Sequence, residues 1–192
     1  VVAITGSSGK TTTKEMLSKI LGLRFRVGKN PGNYNNLVGL PLSLLSIPPD
    51  REVVVVEMGM NRRGEIRRLT EIARPSIGVI TTVDPVHLEG LGDLEGVKEA
   101  KGEMLQEMGD GDTYCYNEDN PWTKELAQGF SGKKVSFGQG ASALYRGVDV
   151  KEGEGLGFRI VAPFGELEVK LRVLGRHHLY SALAAAACAH LL

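Results

Sequence analysis

The chain has 192 residues, with 23 basic and 23 acidic side chains and a formal net charge of zero. That length supports one substantial core. The balanced charge argues against nucleic-acid or acidic-membrane partners, which need a basic surface.

Cys115 and Cys188 stand far apart without metal-type spacing, so core thiols in a reducing cytosol are expected rather than a disulfide. No stretch has the length of a membrane span or the form of a signal peptide. The most apolar run, 182–189, is short and alanine-rich, as suits a packed helix. A soluble, cytoplasmic monomer is expected. A buried-type strand at Val1 and a helical pattern at Leu192 suggest a domain cut from a longer chain, with 1–192 forming one domain.

Strand and helix patterns alternate through the first two thirds. Residues 1–5 are an apolar strand. Thr11 to Leu21 is a helix, with Met16, Leu17, Ile20 and Leu21 on one face and Gly22 as its stop. A loop rich in Gly and Asn runs from Gly28 to Gly39. Four valines, 53–56, form a buried strand of the parallel-sheet kind. A helix from Glu65 to Ala73 ends before Pro75, and Ile77 to Val83 is the next strand. Asp93 caps a helix that runs to Met108. Thr113 to Tyr116 is a short strand, and Asn120-Pro121 opens another helix as cap and first-turn proline. Beyond Lys133, strands near 133–137, 144–151, 156–162 and 166–173 are separated by Gly-rich turns. A last helix begins near His178. The fold class is α/β, a doubly wound, mostly parallel sheet with a small antiparallel β add-on near the C-terminal part.

The segment Gly6-Ser7-Ser8-Gly9-Lys10-Thr11 lies between the first strand and the first helix, where a phosphate loop belongs. Glycines let backbone N–H groups turn toward an anion, and the helix start adds partial positive charge. Lys10 can reach the β- and γ-phosphates of a nucleotide, and the Thr11 hydroxyl can bind Mg2+. Ile4 occupies the place of the first glycine in the full Walker pattern, so the loop is a shortened variant. Glu57 ends the valine strand, at the edge where open α/β sheets bind ligands, and can hold Mg2+ or stand as a strand-end charge. His87 follows the strand from Ile77 and shares that edge; alone, it is as fit for a structural role.

On the helix 93–108 the apolar stripe is Leu94, Val97, Met104, Leu105 and Met108. At about 100° per residue, Lys101 falls at its centre and Lys98 toward its edge. Two readings are open. Burial lowers the pKa and frees a neutral amine that can take up carbon dioxide as a carbamate, an anionic oxygen ligand. Alternatively, Lys101 snorkels to the surface. The polar clusters Gly32–Asn36 and Asn117–Asn120 are explained by turn chemistry alone, although Asn117, at a strand end, could contact a nucleotide base.

Ile4-Thr5-Gly6-Ser7-Ser8-Gly9-Lys10-Thr11-Thr12-Thr13-Lys14-Glu15-Met16 resembles the central domain of the Mur ligases, ATP-dependent amide ligases of peptidoglycan synthesis. Gly32-Asn33-Tyr34-Asn35-Asn36 with Gly39 and Pro41 resembles the branch that joins D-alanyl-D-alanine to UDP-N-acetylmuramoyl-tripeptide. So do Glu57-Met58-Gly59-Met60-Asn61, Gly64-Glu65-Ile66, His87-Leu88-Glu89-Gly90 and Ala100-Lys101-Gly102-Glu103.

The resemblance implies that Gly6, Ser7, Ser8, Gly9, Lys10, Thr11 and Thr12 hold ATP phosphates, with Asn35 and Asn36 near the γ-phosphate. It implies Mg2+ at Thr11 and Glu57, and a second Mg2+ at His87 and a carbamylated Lys101. Lys10, Lys101 and His87 would carry catalysis, and Asn117 and His178 would approach the adenine. His178 and Ser181 stand where the family usually has Asn, and Thr82 and Asp84 replace a more frequent Asn and Gly. The family's N-terminal UDP-sugar domain and its C-terminal domain have no counterpart here, so the segment alone is expected to be inactive. The alternatives are a folylpolyglutamate- or cyanophycin-type ligase, or an ATP-binding module without catalysis. A GTPase-type switch lacks its Asn-Lys-x-Asp motif.

Overall fold

Residues Val2, Ala3 and Ile4 are apolar in succession, so both faces of the first strand need cover. The computed structural model describes residues 1–86 and 88–192 and supplies that cover with helices on each face. In chain order the elements are β1 (Val2–Thr5), α1 (Lys10–Leu21), β2 (Val27–Lys29), α2 (Gly39–Ser46), β3 (Val53–Glu57), α3 (Glu65–Ala73), β4 (Ile77–Ile80), α4 (Leu88–Leu91), α5 (Leu94–Gln106), β5 (Thr113–Asn117), α6 (Pro121–Gly129), β6 (Lys133–Gly138), β7 (Tyr145–Glu152), β8 (Leu156–Ala162), β9 (Gly165–Leu171) and α7 (His177–His190).

The strands form one sheet in the order β2-β3-β1-β4-β5-β6-β7-β8-β9. Pairing is parallel from β2 through β7 and antiparallel only for β7 with β8 and β8 with β9. The antiparallel addition near the C-terminal part is therefore present, but it extends the main sheet. The strand at 133–138, grouped with it from sequence, is a parallel member instead. Gly-rich turns show where strands end and say nothing of the direction in which they pair.

Period-two alternation assigns each side chain to a face. Val2, Ile4, Val53, Val55, Ile77 and Val79 pack with Leu17 and Leu21 of α1 and with the alanine-rich α7. Ala3, Val56 and Ile80 pack with Ile66 and Leu69 of α3 and with Val97 and Met104 of α5. Gly78 lies on that second face because a Cβ there would stand 2.7 Å from the Met108 sulfur and 2.9 Å from the Met104 methyl. Cys115 and Cys188 are free and buried in the first core. A hydrogen bond to Cys115, and then burial, push the Cys188 thiol up, which leaves it a poor nucleophile. Among the described residues, no helix is long and apolar enough to cross a membrane.

Helix ends follow the sequence closely. Asp93 accepts the Gly96 N–H at 2.8 Å, and Asn120 accepts the Thr123 N–H at 3.2 Å ahead of Pro121. Strand β2 and helix α2 were not foreseen. The first is three residues long, and Gly39 and Pro41 disguise the start of the second. The buried stripe of α1 is Thr13, Lys14, Leu17, Ser18 and Leu21, while Ile20 is 41% exposed. The expected face was thus rotated by about one residue position.

Buried Glu103 of α5 reaches across to the start of α3. Its carboxylate accepts the N–H groups of Gly64 at 2.6 Å and Arg67 at 3.1 Å. A carboxylate there satisfies two otherwise unpaired donors and complements the helix dipole. Glu103→Ala is expected to cost about 1–3 kcal/mol of folding stability. Urea unfolding of both chains checks this, and an unchanged midpoint would refute it.

Candidate nucleotide site

The connection after β1 runs to one side of the sheet and the connection after β4 to the other, so the carboxyl ends of these neighbouring strands frame a crevice. The loop 6–9 lies there and is tied to the segment after β4. The Ser7 N–H donates to the Thr82 carbonyl at 2.9 Å, the Asp84 N–H to Ser7 Oγ at 2.8 Å, and the Ser8 N–H to Thr82 Oγ1 at 3.3 Å. Gly6 has φ 145°, and a Cβ there would stand 1.9 Å from Thr81 Oγ1. Only glycine fits that position. Gly9, with φ 77°, precedes α1, whose first turn has neither a side-chain cap nor an acidic residue. The helix itself thus places no carboxylate against its leading N–H groups.

Lys10 Nζ donates to the Gly6 carbonyl at 2.9 Å. Burial holds its ammonium below the ordinary range, opposed by the Glu57 charge. The Thr11 hydroxyl donates to Glu57 Oε2 at 2.7 Å, and the Asn35 amide to Glu57 Oε1 at 2.8 Å. Glu57 is 2% exposed. A cavity of about 220 Å³ joins Gly6 and Lys10 to Asn35, Asn36, Asn61 and Lys101. A larger hollow of about 580 Å³ lies beside β2 and α2, around Leu42 and Ile47. It does not contain Lys10, which lines the smaller cavity, so the smaller cavity is the better site despite its size.

Lys101 is 2% exposed, which removes the snorkelling alternative. Burial, and then the positive charge of Lys10, push its ammonium down to about 7 against the pull of Asp84. Lys98, three residues earlier, behaves oppositely. Its Nζ lies 2.7 Å from Glu125 and 2.5 Å from Glu95, and those hydrogen bonds raise its pKa.

The other expected residues divide. Ser7, Ser8 and Thr12 lie in the loop and first turn as foreseen. Asn36 borders the cavity, but its Oδ1 accepts the N–H groups of Val38 and Gly39 at the start of α2. Asn117 lies at the end of β5, outside the cavity, and its Oδ1 accepts the Asp119 N–H at 3.1 Å. It performs the turn chemistry that its type allows. His178, at the start of α7, is also outside the cavity. Its Nδ1 is buried without a hydrogen-bond partner among the described residues, and burial with His177 beside it lowers its pKa. Ser181 packs against the loop, 3.2 Å from where a Gly9 Cβ would be. His87 lies outside the described residues.

Two neighbours were missed. Lys14 is fully buried beside Glu57. Its spacing with Leu17, Ser18 and Leu21 could have revealed it. Asp84 acts electrostatically on Lys101, and no local pattern marks it. The donors around Glu57 are hard oxygens from one carboxylate and one hydroxyl, with no other acid required. Among the described residues, no three His, Cys, Asp or Glu side chains converge. That donor set fits Mg2+, which commonly takes one or two carboxylates together with phosphate and water oxygens.

The Mur ligase middle domain family matches residues 4–189. The UDP-N-acetylmuramoyl-tripeptide–D-alanyl-D-alanine ligase of Bacillus subtilis is 38% identical over 188 residues, which is 97% of this chain and 40% of that protein. Among solved structures, MurF from Acinetobacter baumannii superposes with a TM-score of 0.93 at 31% identity, over 98% of this chain and 42% of that one. The MurF ligase from Thermotoga maritima in complex with ADP gives 0.90 at 32% identity, over 99% of this chain and 44% of that one. The chain thus spans about two fifths of the length of these relatives. On its motifs, its sheet order and the match along nearly its whole length, the chain belongs to the Mur ligase middle-domain family.

Proposed function

We propose that this chain is the central, nucleotide-binding domain of an ATP-dependent ligase that joins D-alanyl-D-alanine to UDP-N-acetylmuramoyl-tripeptide in the cytoplasm. The observation that carries the reading is the convergence of Lys10, Thr11, Asn35 and Glu57 at the start of α1. The similarity to relatives of that activity favours this branch over folylpolyglutamate- or cyanophycin-type ligases. The relatives carry more than half their length beyond the matched part. That supports separate N-terminal and C-terminal domains in the complete enzyme.

In the proposed reaction a carboxylate oxygen of the tripeptide attacks the γ-phosphorus of ATP, and ADP leaves with the bridging oxygen. The amine of D-alanyl-D-alanine then attacks the acyl carbon, loses a proton and expels phosphate. Such chemistry depends on alignment and neutralisation of charge more than on covalent help. Gly6, Gly9 and the first turn of α1, with Thr12 in it, would direct N–H groups at the phosphates, while Ser7 and Ser8 hold the loop against Thr82 through theirs. Lys10 neutralises the β- and γ-oxygens, and Asn35 and Asn36 border the γ-position. Mg2+ bound by Thr11 and Glu57 would supply further neutralisation of phosphate charge.

Lys101 is the proposed carbamate. Its neutral amine attacks carbon dioxide and loses a proton to solvent, which replaces a cation beside Lys10 with an anion. The carbamate and His87 would serve a second Mg2+, and His178 and Asn117 would lie toward the adenine, His178 through the Nδ1 that has no partner among the described residues.

The test is phosphate release by a full-length protein containing this segment. Release that requires both the UDP-linked tripeptide and D-alanyl-D-alanine is expected. Release driven by a folate with glutamate would overturn the assignment. The 192-residue chain alone is expected to bind ATP without ligation, because closing domains exclude water from such sites.

A further inference from the structure

Lys14 sits one turn beyond Lys10 on α1 and is 0% exposed. Its ammonium donates to the carbonyls of Asn30 at 2.9 Å and Gly32 at 2.8 Å, and it stands 3.6 Å from Glu57 Oε2. Both carbonyls belong to the loop that brings Asn35 and Asn36 to the cavity. Asn30, also fully buried, completes the connection. Its amide donates to the carbonyls of Tyr34 at 2.8 Å and Glu57 at 3.0 Å, and its Oδ1 accepts the Glu57 N–H at 2.9 Å. One ammonium thus joins the helix of the phosphate loop, the asparagine loop and the carboxylate at the end of β3.

Packing does not require a charge here. An unbranched apolar side chain would fill the same channel without the desolvation cost of an ammonium. Loss of Lys14 would instead release two main-chain carbonyls and remove the cation beside a buried carboxylate. The carboxylate could then turn away from Thr11 and Asn35, although Lys10 and the backbone donors of the loop would keep their places.

We propose that Lys14 is a positioning residue. It touches no ligand itself, and it holds Glu57 and Asn35 in the arrangement that makes nucleotide binding depend on magnesium. The inference rests on the Mg-nucleotide reading of the site. It separates from that reading because it concerns only the increment that the metal adds.

Calorimetric titration of the chain with ADP, with and without Mg2+, measures that increment. In Lys14→Met the Mg2+-dependent gain in affinity is expected to fall about tenfold, while metal-free affinity changes less than twofold. The Asn35 side-chain amide, which donates to Glu57, should shift in the ¹H–¹⁵N spectrum of the metal-free variant. Lys14→Gln keeps an amide NH2 donor without the positive charge and provides the same comparison if the methionine variant fails to fold. A gain within twofold of wild type in a folded variant would overturn the proposal. Equal losses with and without metal would do the same, since they would mark general damage. If wild type binds ADP with no Mg2+ dependence, both this inference and the reading beneath it fall.

Discussion

Lys10→Ala is expected to lower the affinity for a non-hydrolysable ATP analogue with Mg2+ about 100-fold. The ammonium sits at the mouth of a loop whose other donors are backbone N–H groups, and it is the one full positive charge among Gly6, Ser7, Ser8, Gly9 and Lys10. Hydrogen bonds to charged groups contribute about 1.5–3 kcal/mol each. Two of them at the phosphates, at the lower end of that range, correspond to about two decades of affinity. Thr11 and the start of α1 remain, so binding weakens without vanishing. Lys98→Ala is the control, since that ammonium is engaged by Glu95 and Glu125 and does not line the cavity that Lys10 and Lys101 share. Calorimetric titration reads both variants. Unchanged affinity in a Lys10→Ala chain that melts like wild type would remove the loop from phosphate binding.

The second large effect concerns Lys101 and pH. Its folded pKa is about 7, whereas an unfolded lysine titrates near 10.4. Below about pH 7 both states carry the proton, and folding bears the full cost of burying the charge. Between about 7 and 10.4 the unfolded chain binds a proton that the folded chain does not. Stability therefore rises with pH in that window, by at most about 1.4 kcal/mol per unit.

Removing the amine with Lys101→Met should stabilise the metal-free chain by several kcal/mol, on the order of 3–5, at pH 6. The advantage should shrink steadily toward pH 10. Urea unfolding in carbon dioxide-free buffer at four pH values, taken as the difference between the two chains, cancels the other titrating groups. A difference that does not change with pH would show that Lys101 keeps its ammonium when folded. The same lowered pKa prepares the proposed carbamate. In ¹³C-bicarbonate above pH 7, a carbamate resonance is expected from wild type and not from Lys101→Met. In a full-length enzyme Lys101→Ala should lose activity while Lys98→Ala keeps most of it.

Much of this site was visible from local pattern. The strand, glycine loop, Lys-Thr pair and helix at 1–21 are consecutive, and each element is specified by residues within a few positions of it. Lys101 was placed in the apolar stripe of its helix by the 3.6-residue period alone, and its exposure of 2% agrees. Asp93 and Asn120 were legible as caps because a cap and its N–H partner lie three residues apart. Locality is less decisive elsewhere. Asn117 has a side chain suited to a base and to a turn, and its Oδ1 accepts the N–H two residues on.

What the chain's order of residues determined by itself is therefore the class of each element, the faces of most helices and the phosphate loop. Tertiary structure alone decided which of these meet. Thr11 and Glu57 are 46 positions apart, and Lys14 reaches a loop 16 to 18 positions away. Their contact follows from β3 lying beside β1 in the sheet. Asp84 comes near Lys101 because the segment after β4 folds over the loop. Periodicity records which side of an element is apolar, but strand order is set by how all the buried faces pack at once, and no short window of sequence contains that information.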